Sequence, residues 1–219
     1  MAGGAKGSSR SLAAYAAGGV LLVAAVTALL WYFAGSDAAR LAGSPHRSDR
    51  LRAIDLLRGR SGAEARRGLF GLCSDADPRV AQTAAWALGE YRDAQSASLL
   101  RRILSDGKRP GPLRAEAATA LGRCRPIDPG WLTGPLASDP DPLVRAGAAK
   151  GLYHLRDPRT ALRLTRALSD GDERVRREAI GALYHMTSRR FGYRPELPPA
   201  QQRDEIQQIE AFVRAALPR

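Results

Sequence analysis

Apolar and polar positions recur along this chain in one pattern written four times: DPRVAQTAAWALG, GPLRAEAATALG, DPLVRAGAAKGLY and DERVRREAIGALY. Each copy has an apolar anchor near its start, at Val80, Leu113, Val144 and Val175. Four positions on stand Ala84, Ala117, Ala148 and Ala179, and eight positions on stand Leu88, Leu121, Leu152 and Leu183. That spacing places anchor, alanine and leucine on one stripe of a helix. The anchors lie 33, 31 and 31 residues apart, the period of a helical-repeat solenoid in which each unit buries its apolar face against its neighbours.

A second helical pattern fills the intervals, in SASLLRRILSD, PGWLTGPLASD and TALRLTRALSD. Leu100 and Leu104, Leu132 and Leu136, and Leu164 and Leu168 share the four-residue spacing. Each repeat is therefore expected to be two antiparallel helices. Asp-Pro pairs at Asp77-Pro78, Asp141-Pro142 and Asp157-Pro158 mark helix entries, with Asp accepting from first-turn amides and Pro losing no helical bond. Gly89 and Gly122 fall at helix ends, where a left-handed cap would suit a residue without Cβ. No stretch alternates long enough to predict a sheet. The expected fold is all-α: a right-handed α-solenoid of antiparallel helix pairs.

The motif L..iLsD.dp.VR..A..aLg, covering Gly62 to Thr187, resembles the HEAT-repeat family, including short bacterial HEAT-like repeats related to those of phycobilin lyases. The resemblance implies a solenoid architecture and says little about activity. It also implies a ladder between neighbouring repeats, built from a turn Asp and an Arg six residues later. Asp139 with Arg145 and Asp170 with Arg176 match it, whereas the first copy has Asp75 but Ala81 and the second Arg114 but Lys108. The ladder is expected to be incomplete. Arg50 to Arg60 is expected to cap the array at its start, and Arg203 to Leu217, with Ile206, Ile209, Phe212 and Val213 on one face, at its end.

Ahead of the repeats, Leu12 to Ala34 carries no charge and ends in Trp31 and Tyr32. A hydrocarbon core of ~30 Å needs about 20 apolar residues in a helix, so this stretch is expected to be a transmembrane helix. A cleaved signal peptide is the alternative, with Ala34-Gly35-Ser36 as the cleavage region. The resulting domain order is a basic tail over 1–11, the span over 12–34, a flexible tether over 35–48 and the repeat domain over 49–219. The expected location is the cell membrane, single-pass, with Lys6 and Arg10 favouring an inside amino terminus and an outside repeat domain, against which Arg40, Arg47, Arg50 and Arg52 count.

The net charge of +12 comes almost wholly from arginine, because Lys6, Lys108 and Lys150 are the only lysines. An anionic partner is one reading; compositional drift toward Ala, Arg, Gly and Pro is the other. A phosphate-tracking groove should be continuous, yet the column holding Arg102 and Arg166 also holds Gly71 and Gly134. Nucleic acid is thus the runner-up partner.

Chemistry is sparse. Cys73 and Cys124 fall on apolar columns and are expected to be buried, inert thiols. His154 and His185 share one column with Glu90 and Arg123, too few ligands for zinc. No phosphate loop, nucleophile elbow or HExxH motif is present. The expectation is no enzymatic activity, no metal, no cofactor and no small-molecule substrate. In HEAT-like solenoids the second helix of each pair lines the concave side. Here its outward columns hold Trp86, Glu90, Arg123, Tyr153, His154, Tyr184 and His185, a mixture of aromatics and Arg suited to protein binding. The functional expectation is a membrane-anchored scaffold that binds another, unidentified protein.

Overall fold

The computed structural model describes residues 37–216. Every regular element among them is helical. The helices are α1 (Arg47–Arg58), α2 (Ala63–Leu72), α3 (Pro78–Glu90), α4 (Ala94–Ser105), α5 (Gly111–Leu121), α6 (Gly130–Ser138), α7 (Pro142–Leu155), α8 (Ala161–Ala167), α9 (Glu173–Thr187) and α10 (Arg203–Ala216).

The expected span at Leu12–Ala34 lies outside the described residues. No described helix is long and apolar enough to cross a membrane; the longest, α9, has 15 residues and several charges, short of the ~20 apolar residues a span needs. The expected single-pass cell-membrane location is therefore set aside. Part of the expected tether is also ordered, since residues 37–42 are helical and α1 begins at Arg47.

The chain divides into two compact units, Met1–Leu56 and Leu57–Arg219. In the first, the approach to α1 is fixed locally. The Ser44 hydroxyl donates to the Asp49 carboxylate at 2.7 Å, and Arg50 donates to the Ser44 and Pro45 carbonyls, each at 3.0 Å.

The second unit is a helical-repeat solenoid. The second helices α3, α5, α7 and α9 stack on one another in sequence order, and α2, α4, α6 and α8 pack along them. The anchor, alanine and leucine columns are all buried, with Leu88, Leu121, Leu152 and Leu183 at 0% exposure. Asp77, Asp141 and Asp157 cap their helices as the sequence predicts, accepting from the amides of Arg79, Leu143 and Arg159 at 2.8, 2.9 and 3.0 Å. At the far end, α10 packs on α8 and buries Ile209 and Val213. The turn before it is tied down by the buried Gln202, whose amide exchanges hydrogen bonds with the backbone of Arg194. The Tyr193 hydroxyl donates to the Leu168 carbonyl at 2.6 Å.

The glycines at the helix ends have a different purpose from the one the sequence suggests. Gly122 is right-handed, at φ −61°, and Gly89 lies within α3. The left-handed positions after the second helices belong to Arg92, Arg156 and Ser188. Glycine is needed instead for close approach. A Cβ on Gly122 would stand 2.0 Å from the Gly151 carbonyl oxygen, one on Gly147 2.4 Å from that of Ala115, and one on Gly151 2.5 Å from that of Ala118. Backbone meets backbone between successive second helices.

The charge ladder joins repeats by a different pairing from the one expected. Arg145 holds Asp170 of the next repeat through two hydrogen bonds of 2.8 and 2.9 Å, and Arg114 pairs with Asp139 in the same way. Within its own repeat Arg145 donates to the Asp139 carbonyl, and Arg176 to that of Asp170. Arg176 closes the series on the Pro195 carbonyl at 3.0 Å. Where Ala81 leaves the first copy without its ladder Arg, Arg109 reaches back from the next turn to the Cys73 carbonyl at 2.9 Å.

Two experiments test this packing. Gly151→Ala should destabilise the protein by about 1–3 kcal/mol through overpacking. Gly181→Ala, a helical site with nothing within 4 Å of the added Cβ, should instead stabilise by ~0.4–1 kcal/mol. Denaturant melts of both variants give the sign. The second concerns Asp170: burial is the largest single influence and opposes ionisation, but the Arg145 hydrogen bonds, the Asp172 amide and the Arg145 charge together outweigh it, so its pKa lies below the usual carboxylate value. A depressed folded pKa adds stability above the unfolded value, about 3.9, and that stability is lost as pH falls through the folded value. Arg145→Ala should cost about 1.5–3 kcal/mol near neutral pH, and the gap from wild type should shrink below about pH 4.

Candidate functional site

The second helices of the array deliver their carboxyl ends to one side, and two side-chain columns run across those ends. One holds Glu90, Arg123, His154 and His185; the other, two residues further on, holds Arg92, Arg125 and Arg156. Together with Tyr153 they line a cavity of about 620 Å³.

Each lining group has a defined state. Glu90 accepts from Arg123 at 2.8 Å, so these two charges are matched within the groove. Arg125 donates to the His154 and Leu155 carbonyls at 2.9 and 2.8 Å, placing its cation on the carboxyl end of α7, where helix dipole and unpaired carbonyls favour positive charge. Arg92 and Arg156 are exposed, and no salt bridge is formed by either among the described residues. Both take left-handed backbone, at φ 54° and 56°, which costs a non-glycine residue about 1–2 kcal/mol.

The aromatic wall is Tyr153, 37% exposed, stacked on His185 with ring centroids 4.4 Å apart and edge-on to His154 at 5.4 Å. His185 Nε2 is buried and makes no hydrogen bond. The His154 imidazole is held below its ordinary pKa of 6.5, first by burial and then by the cations of Arg123, Lys150 and Arg92.

Five of the seven residues expected on this face therefore meet: Glu90, Arg123, Tyr153, His154 and His185. Trp86 and Tyr184 do not line the groove. Trp86 is half-buried, with the Arg58 guanidinium 5.1 Å and that of Arg123 6.0 Å from its ring centre. Tyr184 donates to the Phe191 carbonyl at 3.1 Å and stacks on the Phe191 ring at 5.9 Å, so it fastens the segment after α9. Sequence reasoning missed Arg92, Arg125 and Arg156. Their signal was present, since each stands twelve positions past its anchor, at Val80, Leu113 and Val144.

Away from the groove, Cys73 and Cys124 are buried free thiols, and burial pushes both up to about 12. Among the described residues no group of three or more His, Cys, Asp or Glu is placed to hold a metal ion.

Residues 38–125 and 132–198 match HEAT repeats. The chain belongs to the HEAT-repeat family. Two curated relatives are similar over part of their length. Deoxyhypusine hydroxylase-B of Oryza sativa subsp. japonica is 37% identical over 75 residues, 34% of this chain and 25% of that protein. Deoxyhypusine hydroxylase of Arabidopsis thaliana is 33% identical over 111 residues, 50% of this chain and 35% of that protein. The chain thus spans about a quarter to a third of the curated relatives it matches. A structure of human deoxyhypusine hydroxylase in complex with glycerol aligns with a TM-score of 0.40 at 17% identity, over 89% of this chain and 99% of that one. The expected likeness to phycobilin-lyase repeats has no counterpart among these proteins.

The expectation that the chain is not an enzyme is overturned by these relatives, which are named as hydroxylases.

The electrostatics of the groove can be read directly. Titrating His154 by NMR should give a midpoint below the ordinary 6.5. Arg92→Ala should move that midpoint upward, because a nearby cation disfavours the imidazolium.

Proposed function

We propose that this HEAT-repeat array is a scaffold that binds another protein through the carboxyl ends of its second helices. The observation that carries the reading is the partly exposed Tyr153 ring, braced by His185 and flanked by arginines. Tyr and Arg in a shaped recess are the residue types that dominate binding energy at protein interfaces. The groove is built on helix ends held by backbone-tight packing, so little ordering is needed when a partner arrives. The residues proposed to contact the partner are Tyr153, His154, His185, Arg123 and Glu90, joined by Arg92 and Arg156.

A second reading rests on the relatives alone: the chain acts on deoxyhypusine, as the names of the two plant proteins indicate for them. A deoxyhypusine-bearing peptide incubated with the full chain, dioxygen and a two-electron reductant would then gain the mass of one oxygen atom, the second leaving as water. An unchanged mass would count against that reading.

The scaffold reading is tested by affinity capture with the full chain. Tyr153→Ala should weaken capture of a bound protein by about 2 kcal/mol or more, as truncating an interface anchor does. Arg101→Ala is the control, since Arg101 lies over the Trp131 ring on the first-helix side, at 4.5 Å, and should leave capture unchanged. Loss with Arg101→Ala and retention with Tyr153→Ala would move the interface to the other side.

A further inference from the structure

The groove has a sign, and the sign names a partner chemistry. Four arginines line it, and Glu90 is its only carboxylate among the lining residues. Arg123 is matched by Glu90, and Arg125 is occupied by helix-end carbonyls while keeping its charge. Arg92 and Arg156 lie on the rim with no salt bridge among the described residues. Both keep a long cationic side chain at a left-handed position, which favours glycine or asparagine. The Tyr153–His185 stack lines the same groove, contributed by the third and fourth second helices.

We propose that the groove takes an acidic peptide segment of a partner protein, with carboxylates on Arg92 and Arg156 and an apolar side chain against Tyr153. This rests on the scaffold reading above and specifies its partner. Guanidinium groups bind carboxylates through paired, charge-assisted hydrogen bonds. Nucleic acid fits less well. One face of the Tyr153 ring is already covered by His185, leaving a poor platform for successive bases. The cationic strip is also confined to three turns, where a strand needs a continuous track.

The test uses the full chain and a fluorescein-labelled polyglutamate peptide in anisotropy titrations at low salt. Wild type should bind, and Arg92→Glu/Arg156→Glu should bind about tenfold more weakly or worse. Arg163→Glu/Arg166→Glu makes the same charge change on α8, beside a separate recess, and should alter binding by less than about threefold. Helical circular dichroism at wild-type strength in both double variants keeps the comparison valid.

Equal loss in both double variants would show attraction to net charge alone and overturn the proposal. So would failure of wild type to bind the peptide, or duplex DNA that binds more tightly and displaces it. Retention by Arg92→Glu/Arg156→Glu of a protein whose capture depends on Tyr153 would leave the scaffold standing and remove the acidic partner.

Discussion

Successive second helices come so close that several of their contacts are backbone against backbone. Gly122 faces the Gly151 carbonyl, Gly147 that of Ala115, and Gly151 that of Ala118, with no room at any of them for a methyl group. Such contacts set the separation and the register of neighbouring repeats more strictly than leucine packing could, because a flexible side chain can yield and a carbonyl cannot. The rest of the second unit inherits that register. The leucine column is fully buried because each repeat sits at the depth these glycines allow, and the ladder arginines reach the next repeat because its turn is held at a fixed step.

The same register sorts charge into two places. At the amino ends of the second helices, Arg114 and Arg145 are consumed by Asp139 and Asp170, and Arg176 by backbone carbonyls. At the carboxyl ends, the columns through Glu90 and Arg92 face open space and form the groove. Removing an alanine-sized side chain at Gly122 brings the third helix pair near enough for Arg125 to cap α7, so one packing feature positions both the core and the site.

The columns were legible because burial and helical period act on residue type directly, and the anchors, alanines and leucines kept both. Five of the seven residues expected on one face line a common groove for the same reason: outward positions of a regular helix can be counted. Tyr184 and Trp86 were misplaced because counting gives a direction and not a neighbour. Phe191, from an irregular segment with no repeat period, covers Tyr184, and arginines lie against Trp86. Arg92 and Arg156 were missed for a related reason, since they lie past the helix ends where the helical period no longer applies. The glycines misled because a helix-end glycine ordinarily signals a left-handed cap, and close approach between repeats leaves no mark on one repeat read alone.

Net charge is therefore a poor guide to partners in this chain unless it is resolved by position. A charge of +12 predicts an anion-binding surface only if the cations are both unpaired and adjacent. The ladder fails the first condition, since its arginines are matched and hold the repeats together. The pair Arg102 and Arg166 fails the second, since Gly71 and Gly134 interrupt their column. Arg92 and Arg156 satisfy the first condition, and Arg125, standing between them in an unbroken arginine column, meets the second for the groove they line, beside an exposed ring. Selectivity then follows from the one carboxylate already there. Glu90 already matches Arg123 at 2.8 Å, so the cations that incoming carboxylates meet without a salt-bridge partner among the described residues are Arg92 and Arg156, two repeats apart along the groove.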